Sequence, residues 1–157
     1  DKFKINLSLV KSVIKSNQKR SLLLLNKVNE ILKGNIKNKN ICFLGVTFKA
    51  NTDDMRDSSS LVMIPSLAKK GARINYYDPT GEKNYFKKIK NVNFSKDIKS
   101  AIYNSDLVII HTEWNDFKSI NFKSLIKKKN FIIYDMRNIY SPSKMKKAKI
   151  KYFGIGR

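Results

Sequence analysis

Apolar positions along this chain recur at two different periods. Between residues 7 and 33, Leu9, Val13, Leu24, Val28 and Leu32 fall at helical spacings, which predicts a long helix from Leu7 to Lys33 stopped at Gly34-Asn35. Beyond it the apolar residues gather into short runs, at Ile41 to Val46, Ile74 to Tyr77, Val92 to Phe94, Leu107 to His111, Phe131 to Tyr134 and Ile150 to Phe153. Runs of this length read as buried strands. Helices are expected between them, from Ser58 to Lys70 (ended by Gly71), Glu82 to Ile89 and Asp97 to Asn104. Asp57-Ser58-Ser59-Ser60 offers N-cap oxygens for the first of these, and Asp78-Pro79-Thr80-Gly81 is a turn. Strands separated by helices imply a mainly parallel sheet with helices on both faces. The expected class is therefore a Rossmann-like α/β fold preceded by a long helical segment.

Composition narrows this picture. A chain of 157 residues with 41 % apolar and 29 % charged residues has the size and make-up of one globular domain. No apolar run approaches the ~20 residues of a membrane span. The first residues, Asp1-Lys2-Phe3-Lys4, lack the apolar core of a signal peptide. A lone cysteine, Cys42, excludes an internal disulfide and fits a reducing, cytoplasmic setting. The missing initiator Met is read as a sign that the sequence is part of a longer chain.

The formal charge of +21 brings nucleic acid into consideration. The lysines are scattered, however, at Lys69-Lys70, Lys87 to Lys90, Lys127 to Lys129 and Lys144 to Lys151. No base-reading helix, aromatic stacking ladder or zinc-finger spacing accompanies them. They read as a lysine-rich surface, and neither a nucleic-acid nor a membrane partner is expected. No metal site is expected either.

Candidate chemistry concentrates in the segment from Gly45 to Ser60, at the carboxyl end of the first expected strand. In open α/β sheets ligands bind at that edge. Lys49 supplies a mobile point charge and Arg56 a planar fork, with Asp53, Asp54 and Asp57 beside them. Such a set suits an anionic ligand, although a salt-bridged surface loop would use the same residues. The loop lacks the second and third glycines of the dinucleotide fingerprint, so it is not expected to cradle NAD by itself.

Several runs in this order resemble one family. Ile41-Cys42-Phe43-Leu44-Gly45-Val46-Thr47-Phe48-Lys49 and Asn51-Thr52-Asp53-Asp54-Met55-Arg56-Asp57-Ser58 resemble the C-terminal domain of the UDP-glucose/GDP-mannose dehydrogenases. Gly71-Ala72, Tyr77-Asp78-Pro79, Thr112-Glu113-Trp114-Asn115-Asp116-Phe117, Asp135-Met136-Arg137-Asn138-Ile139-Tyr140 and the closing Gly154-Ile155-Gly156-Arg157 extend the likeness over nearly the whole chain. The UDP-glucose 6-dehydrogenase branch is the nearest in kind.

The resemblance implies an NAD-dependent, two-step oxidation of a UDP-sugar alcohol to a carboxylate, through an aldehyde held on a cysteine. It implies an N-terminal NAD-binding domain as partner, a homodimer made through the helical region, and a division of this chain into residues 1–36 (end of that region) and 37–157 (UDP-sugar-binding domain). Carried over by position, Phe48, Lys49 and Arg137 are the substrate-binding residues and Arg56 the cofactor-binding one. The family's Gly-rich motif ending in Cys-Phe-Pro-Lys-Asp is absent, so no catalytic residue is assigned and the segment is expected to be inactive alone. Cys42 reads as an inert core residue, and His111, Trp114 and Phe117 as packing residues. Glu113 is left between capping a helix and orienting Lys49. Two other readings remain: a split or remnant module that binds nucleotide sugars or dimerises without catalysis, and a basic nucleic-acid-binding domain.

Overall fold

A computed structural model describes residues 8–156. The described residues open on helix α1, Ser8–Ile31, followed by β1 Asn40–Leu44, α2 Ser60–Lys69, β2 Arg73–Tyr77, β3 Val92–Phe94, α3 Ile98–Ile102, β4 Leu107–Ile110, α4 Phe122–Leu125, β5 Ile132–Asp135, α5 Pro142–Lys147 and β6 Lys151–Gly154. A short 3-10 turn, Asn115–Phe117, follows β4. The six strands form one sheet in the order β3-β2-β1-β4-β5-β6, and every neighbouring pair is parallel. The parallel sheet expected from the alternation of runs thus has the doubly wound Rossmann order.

Side-chain alternation along the strands explains why both faces are covered. Ile41 and Phe43 of β1 point to one face with Ile74, Tyr76, Ile109 and Tyr134, and there α1 and α2 pack through Leu24, Val28, Met63, Ile64 and Leu67. Cys42 and Leu44 point to the other face with Val108, Ile110 and Ile133, covered by Ala101 and Ile102 of α3, Phe122 of α4 and Met145 of α5. A strand buried on both sides has no use for polar residues, which is why the runs read as continuously apolar. Leu24, Val28 and Leu32 lie at i, i+4 spacing and are all buried. The boundary expected at residues 36–37 falls in the turn between α1 and β1, where Ile36 is still part of the shared core.

Two expectations need correction. The expected helix from Glu82 to Ile89 does not form, and residues 84–90 run through consecutive turns and a bend. Their bonds run from Phe86 N to Lys83 O and from Ile89 N to Phe86 O, at i to i−3 spacing. Long-range ties decide this: the Lys83 amide donates to the Tyr76 hydroxyl, and the Lys83 ammonium is buried 3.8 Å from Asp78. The N-cap of α2 is Ser59, yet it makes no side-chain cap bond. Ser58 and Ser60 instead both donate to the Val46 carbonyl, at 2.7 and 2.6 Å, and tie the helix start to the end of β1.

Candidate functional site

The carboxyl edge of the sheet is organised by two buried aspartates that end strands. Asp78, after β2, accepts from the Val46 amide at 2.8 Å and from the Thr80 amide at 3.0 Å. It thereby fixes the take-off of the loop that follows β1. Asp135, the last residue of β5, accepts from the amides of Arg137 and Tyr140, each at 3.0 Å, and from the Tyr152 hydroxyl at 2.9 Å. Both carboxylates are satisfied by backbone donors, as burial of a charge requires.

Between these anchors lies a cavity of about 300 Å³. It is framed by Phe48, Lys49 and Asp57 to Ser59 from the β1–α2 loop, His111 after β4, Met136 and Arg137 after β5, and Arg20, Ser21 and Leu24 of α1. Among the described residues, three cations, Arg20, Lys49 and Arg137, meet a single carboxylate, Asp57, around it. That imbalance attracts an anion. Lys49 enters no ion pair among the described residues, and the half-exposed Phe48 ring offers a flat apolar face at the rim.

Arg137 does more than present charge. Its Nε donates to the His111 carbonyl at 2.8 Å and its Nη2 to the Phe48 carbonyl at 3.0 Å, while Glu113 Oε2 lies 2.9 Å from Nε. One guanidinium thus ties together the loops after β1, β4 and β5. Glu113 neither caps a helix nor orients Lys49; its partner is Arg137.

Arg56 does not belong to this cluster. Its side chain is 86 % exposed and forms a forked pair with Asp54, Nε to Oδ1 at 3.0 Å and Nη2 to Oδ2 at 2.9 Å. The Arg56 hydrogen bonds hold the Asp54 carboxyl down at about 2. The arginine is exposed on the β1–α2 loop and does not line the cavity.

His111 is buried in the cavity wall, and burial with the Arg137 charge pushes its pKa down to about 3. It bonds to Ser59 Oγ through Nε2 at 2.9 Å and to Thr112 Oγ1 through Nδ1 at 3.1 Å. Arg20, Ser59 and His111 at this site were not singled out as binding residues by the sequence. The Ser58-Ser59-Ser60 run was the one visible signal, and it read as a cap. Trp114 and Phe117 are buried in the core on the far face, as expected of packing residues. Cys42 is also buried, and burial pushes its thiol far above the ordinary range, so it holds no thiolate.

No glycine-rich cradle accompanies the cavity. The β1–α2 loop has Gly45 alone, and the space a ligand backbone would need beside it is filled by Thr112.

Residues 42–142 match the UDP-binding domain of the UDP-glucose/GDP-mannose dehydrogenase family. The chain belongs to that family. It is 36 % identical over 155 residues to a UDP-glucose 6-dehydrogenase of Rickettsia conorii, which covers 97 % of this chain and 36 % of the relative. A UDP-glucose 6-dehydrogenase of Rhizobium meliloti is 37 % identical over 150 residues, covering 95 % of this chain and 34 % of the relative. Among solved structures, a UDP-glucose dehydrogenase from Pyrobaculum islandicum superposes with a TM-score of 0.72 at 23 % identity, over 95 % of this chain and 32 % of that one. The chain thus spans about a third of the length of these relatives, and it corresponds to the family's C-terminal UDP-binding domain. The motif resemblance and the Rossmann-like fold are both borne out.

Proposed function

We propose that the cavity is a UDP-sugar site and that the chain serves as the substrate-binding part of an NAD-dependent UDP-glucose 6-dehydrogenase. The observation that carries this is the convergence of Phe48, Lys49 and Arg137, from two different strand ends, on one cation-rich cavity. A diphosphate suits Lys49, whose ammonium is uncommitted and can follow the ligand. Arg137 would act by holding the Phe48 and His111 loops in place as much as by touching the ligand.

In this reading NAD is held by an N-terminal domain supplied beyond these residues. The cofactor would accept hydride from the sugar carbon in that cleft. Arg56, exposed on the same edge, is the group poised to reach it when the two domains close. The cysteine that would carry the aldehyde stage also lies outside this chain, because Cys42 is sealed in β1. The segment alone would then bind but not oxidise. A homodimer through α1 is supported by Leu22 and Leu23, which are 57 % and 66 % exposed on that helix. No helix among the described residues is long and apolar enough to cross a membrane; a cytoplasmic enzyme fits this.

Calorimetric titration of the chain with UDP-glucose and with duplex DNA tests the reading. Saturable UDP-glucose binding that Lys49→Ala weakens at least about tenfold, the scale of one charge-assisted hydrogen bond, supports it. Salt-sensitive DNA binding with no response to UDP-glucose overturns it.

A further inference from the structure

The cavity wall below the start of α2 is made by Ser59 and His111, and their hydrogen bonds admit one consistent direction. Thr112 Oγ1 lies 2.9 Å from the Thr47 carbonyl, which can only accept, so the threonine hydrogen is committed there. His111 Nδ1 lies 3.1 Å from that same Oγ1, which has no second hydrogen to offer. The imidazole proton therefore sits on Nδ1, an assignment made from the network. Burial and the neighbouring Arg137 charge keep the ring neutral, leaving Nε2 as a bare lone pair. Ser59 Oγ, 2.9 Å away, must then donate its only hydrogen to Nε2. What Ser59 retains for the cavity is a pair of oxygen lone pairs.

We propose that His111 is a positioning residue that turns Ser59 into a pure hydrogen-bond acceptor, which selects a hydroxyl or N–H donor of the nucleotide sugar at this wall. The proposal rests on the UDP-sugar reading above and divides the cavity by chemistry. Lys49, Arg20 and Arg137 supply the positive side that suits the diphosphate. The Ser59 wall repels it, since a diphosphate oxygen without hydrogen would face lone pairs with lone pairs. A serine at a helix start can ordinarily rotate its hydrogen toward an anion. Here that rotation would leave the buried Nε2 without its partner, at the cost of an unsatisfied buried acceptor. The donor on the ligand is either a ribose or base group of the uridine or a hexose hydroxyl.

The chain contains a single histidine, so nitrogen-edited NMR reads one ring. The expected signature is a neutral ring protonated on Nδ1, unchanged between about pH 5 and 8. An Nε2-protonated ring, or one that titrates in that range, overturns the proposal. Titrations with UDP-glucose, UDP and inorganic pyrophosphate then compare the wild-type chain with Ser59→Ala and Ser59→Thr. Ser59→Ala is expected to lose about tenfold in UDP-glucose affinity, the scale of one hydrogen bond, while pyrophosphate binding stays unchanged and Ser59→Thr retains the affinity. A loss shared by UDP places the donor on the uridine; a loss confined to UDP-glucose places it on the hexose. Equal UDP-glucose binding by wild type and Ser59→Ala, or an equal loss for pyrophosphate, overturns this inference and leaves the UDP-sugar site standing. Absence of UDP-glucose binding by the wild-type chain sinks both.

Discussion

A Cβ added to Gly45 would lie 2.5 Å from the Cβ of Thr112 and 2.8 Å from its Oγ1. The two residues mark where the chain leaves β1 and β4, neighbours in the middle of the sheet. After β1 the chain crosses to the face carrying α2, and after β4 to the face carrying α4, so the crevice opens between them. Contact of backbone with side chain at that point holds the β1 and β4 exits together, and Gly45 also holds a left-handed φ of +75°.

Gly45→Ala should therefore be strongly destabilising. Left-handed strain costs roughly 1–3 kcal/mol and overpacking a similar amount, so a loss of about 2–6 kcal/mol is expected. Urea unfolding measures it; an unchanged midpoint would mean that the β1 and β4 exits can part at little cost.

Asp78 and Lys83 form a buried ion pair, with side chains 0 % and 7 % exposed, but their removal should not be equivalent. Asp78→Ala strands a buried ammonium and also releases the Val46 and Thr80 amides, for about 3–5 kcal/mol. Lys83→Met leaves the carboxylate its backbone donors and should cost clearly less. Equal losses in chemical unfolding would contradict the anchoring role of Asp78.

His111 should make stability depend on pH. Its pKa falls from 6.5 to about 3 on folding, so below pH 6.5 the unfolded chain binds a proton that the native chain refuses. Stability is then full at neutral pH and declines as pH drops through the window from 6.5 toward 3, by about 1.4 kcal/mol per pH unit once the unfolded histidine is charged. Asp54, held at about 2, adds its own loss only below its ordinary value of 3.8. Unfolding measured between about pH 7 and 5 isolates the histidine, and His111→Gln should flatten the curve there. A wild-type curve as flat as that of the variant would show that the ring is not buried neutral.

Arg56→Ala should leave both the unfolding midpoint and UDP-glucose binding by this chain unchanged, because its exposed pair with Asp54 is screened by water. The same change in an assembly that includes the NAD-binding domain should weaken NAD. A lower UDP-glucose affinity for Arg56→Ala in the isolated chain would place the arginine in the sugar cavity instead.

Much of this was legible along the chain because burial on both faces of a parallel sheet keeps its central runs, in β1 and β4, apolar. Ile41 to Leu44 and Leu107 to Ile110 could hardly read otherwise. Glu82 to Ile89 misread for another reason: the Lys83 amide and ammonium are held by Tyr76 and Asp78, side-chain ties that apolar periodicity does not register. Lys49 and Arg137 were visible as site candidates through the runs around them. Arg56, chemically the equal of Arg137, is exposed and does not line the cavity; Asp54, two residues away, satisfies its fork.

The sequence by itself determined the order of the strands along the chain, the parallel sheet and the family, since those depend on local periodicity and on runs of adjacent residues. Tertiary structure alone decided that Arg137 clasps the Phe48 and His111 loops, and that Ser59, 52 residues from His111, spends its hydroxyl on the ring and not on the helix. Those are contacts between strand ends that meet only when the sheet is assembled. Nothing in the spacing of a chain encodes which way a hydroxyl will point once a buried lone pair must be satisfied.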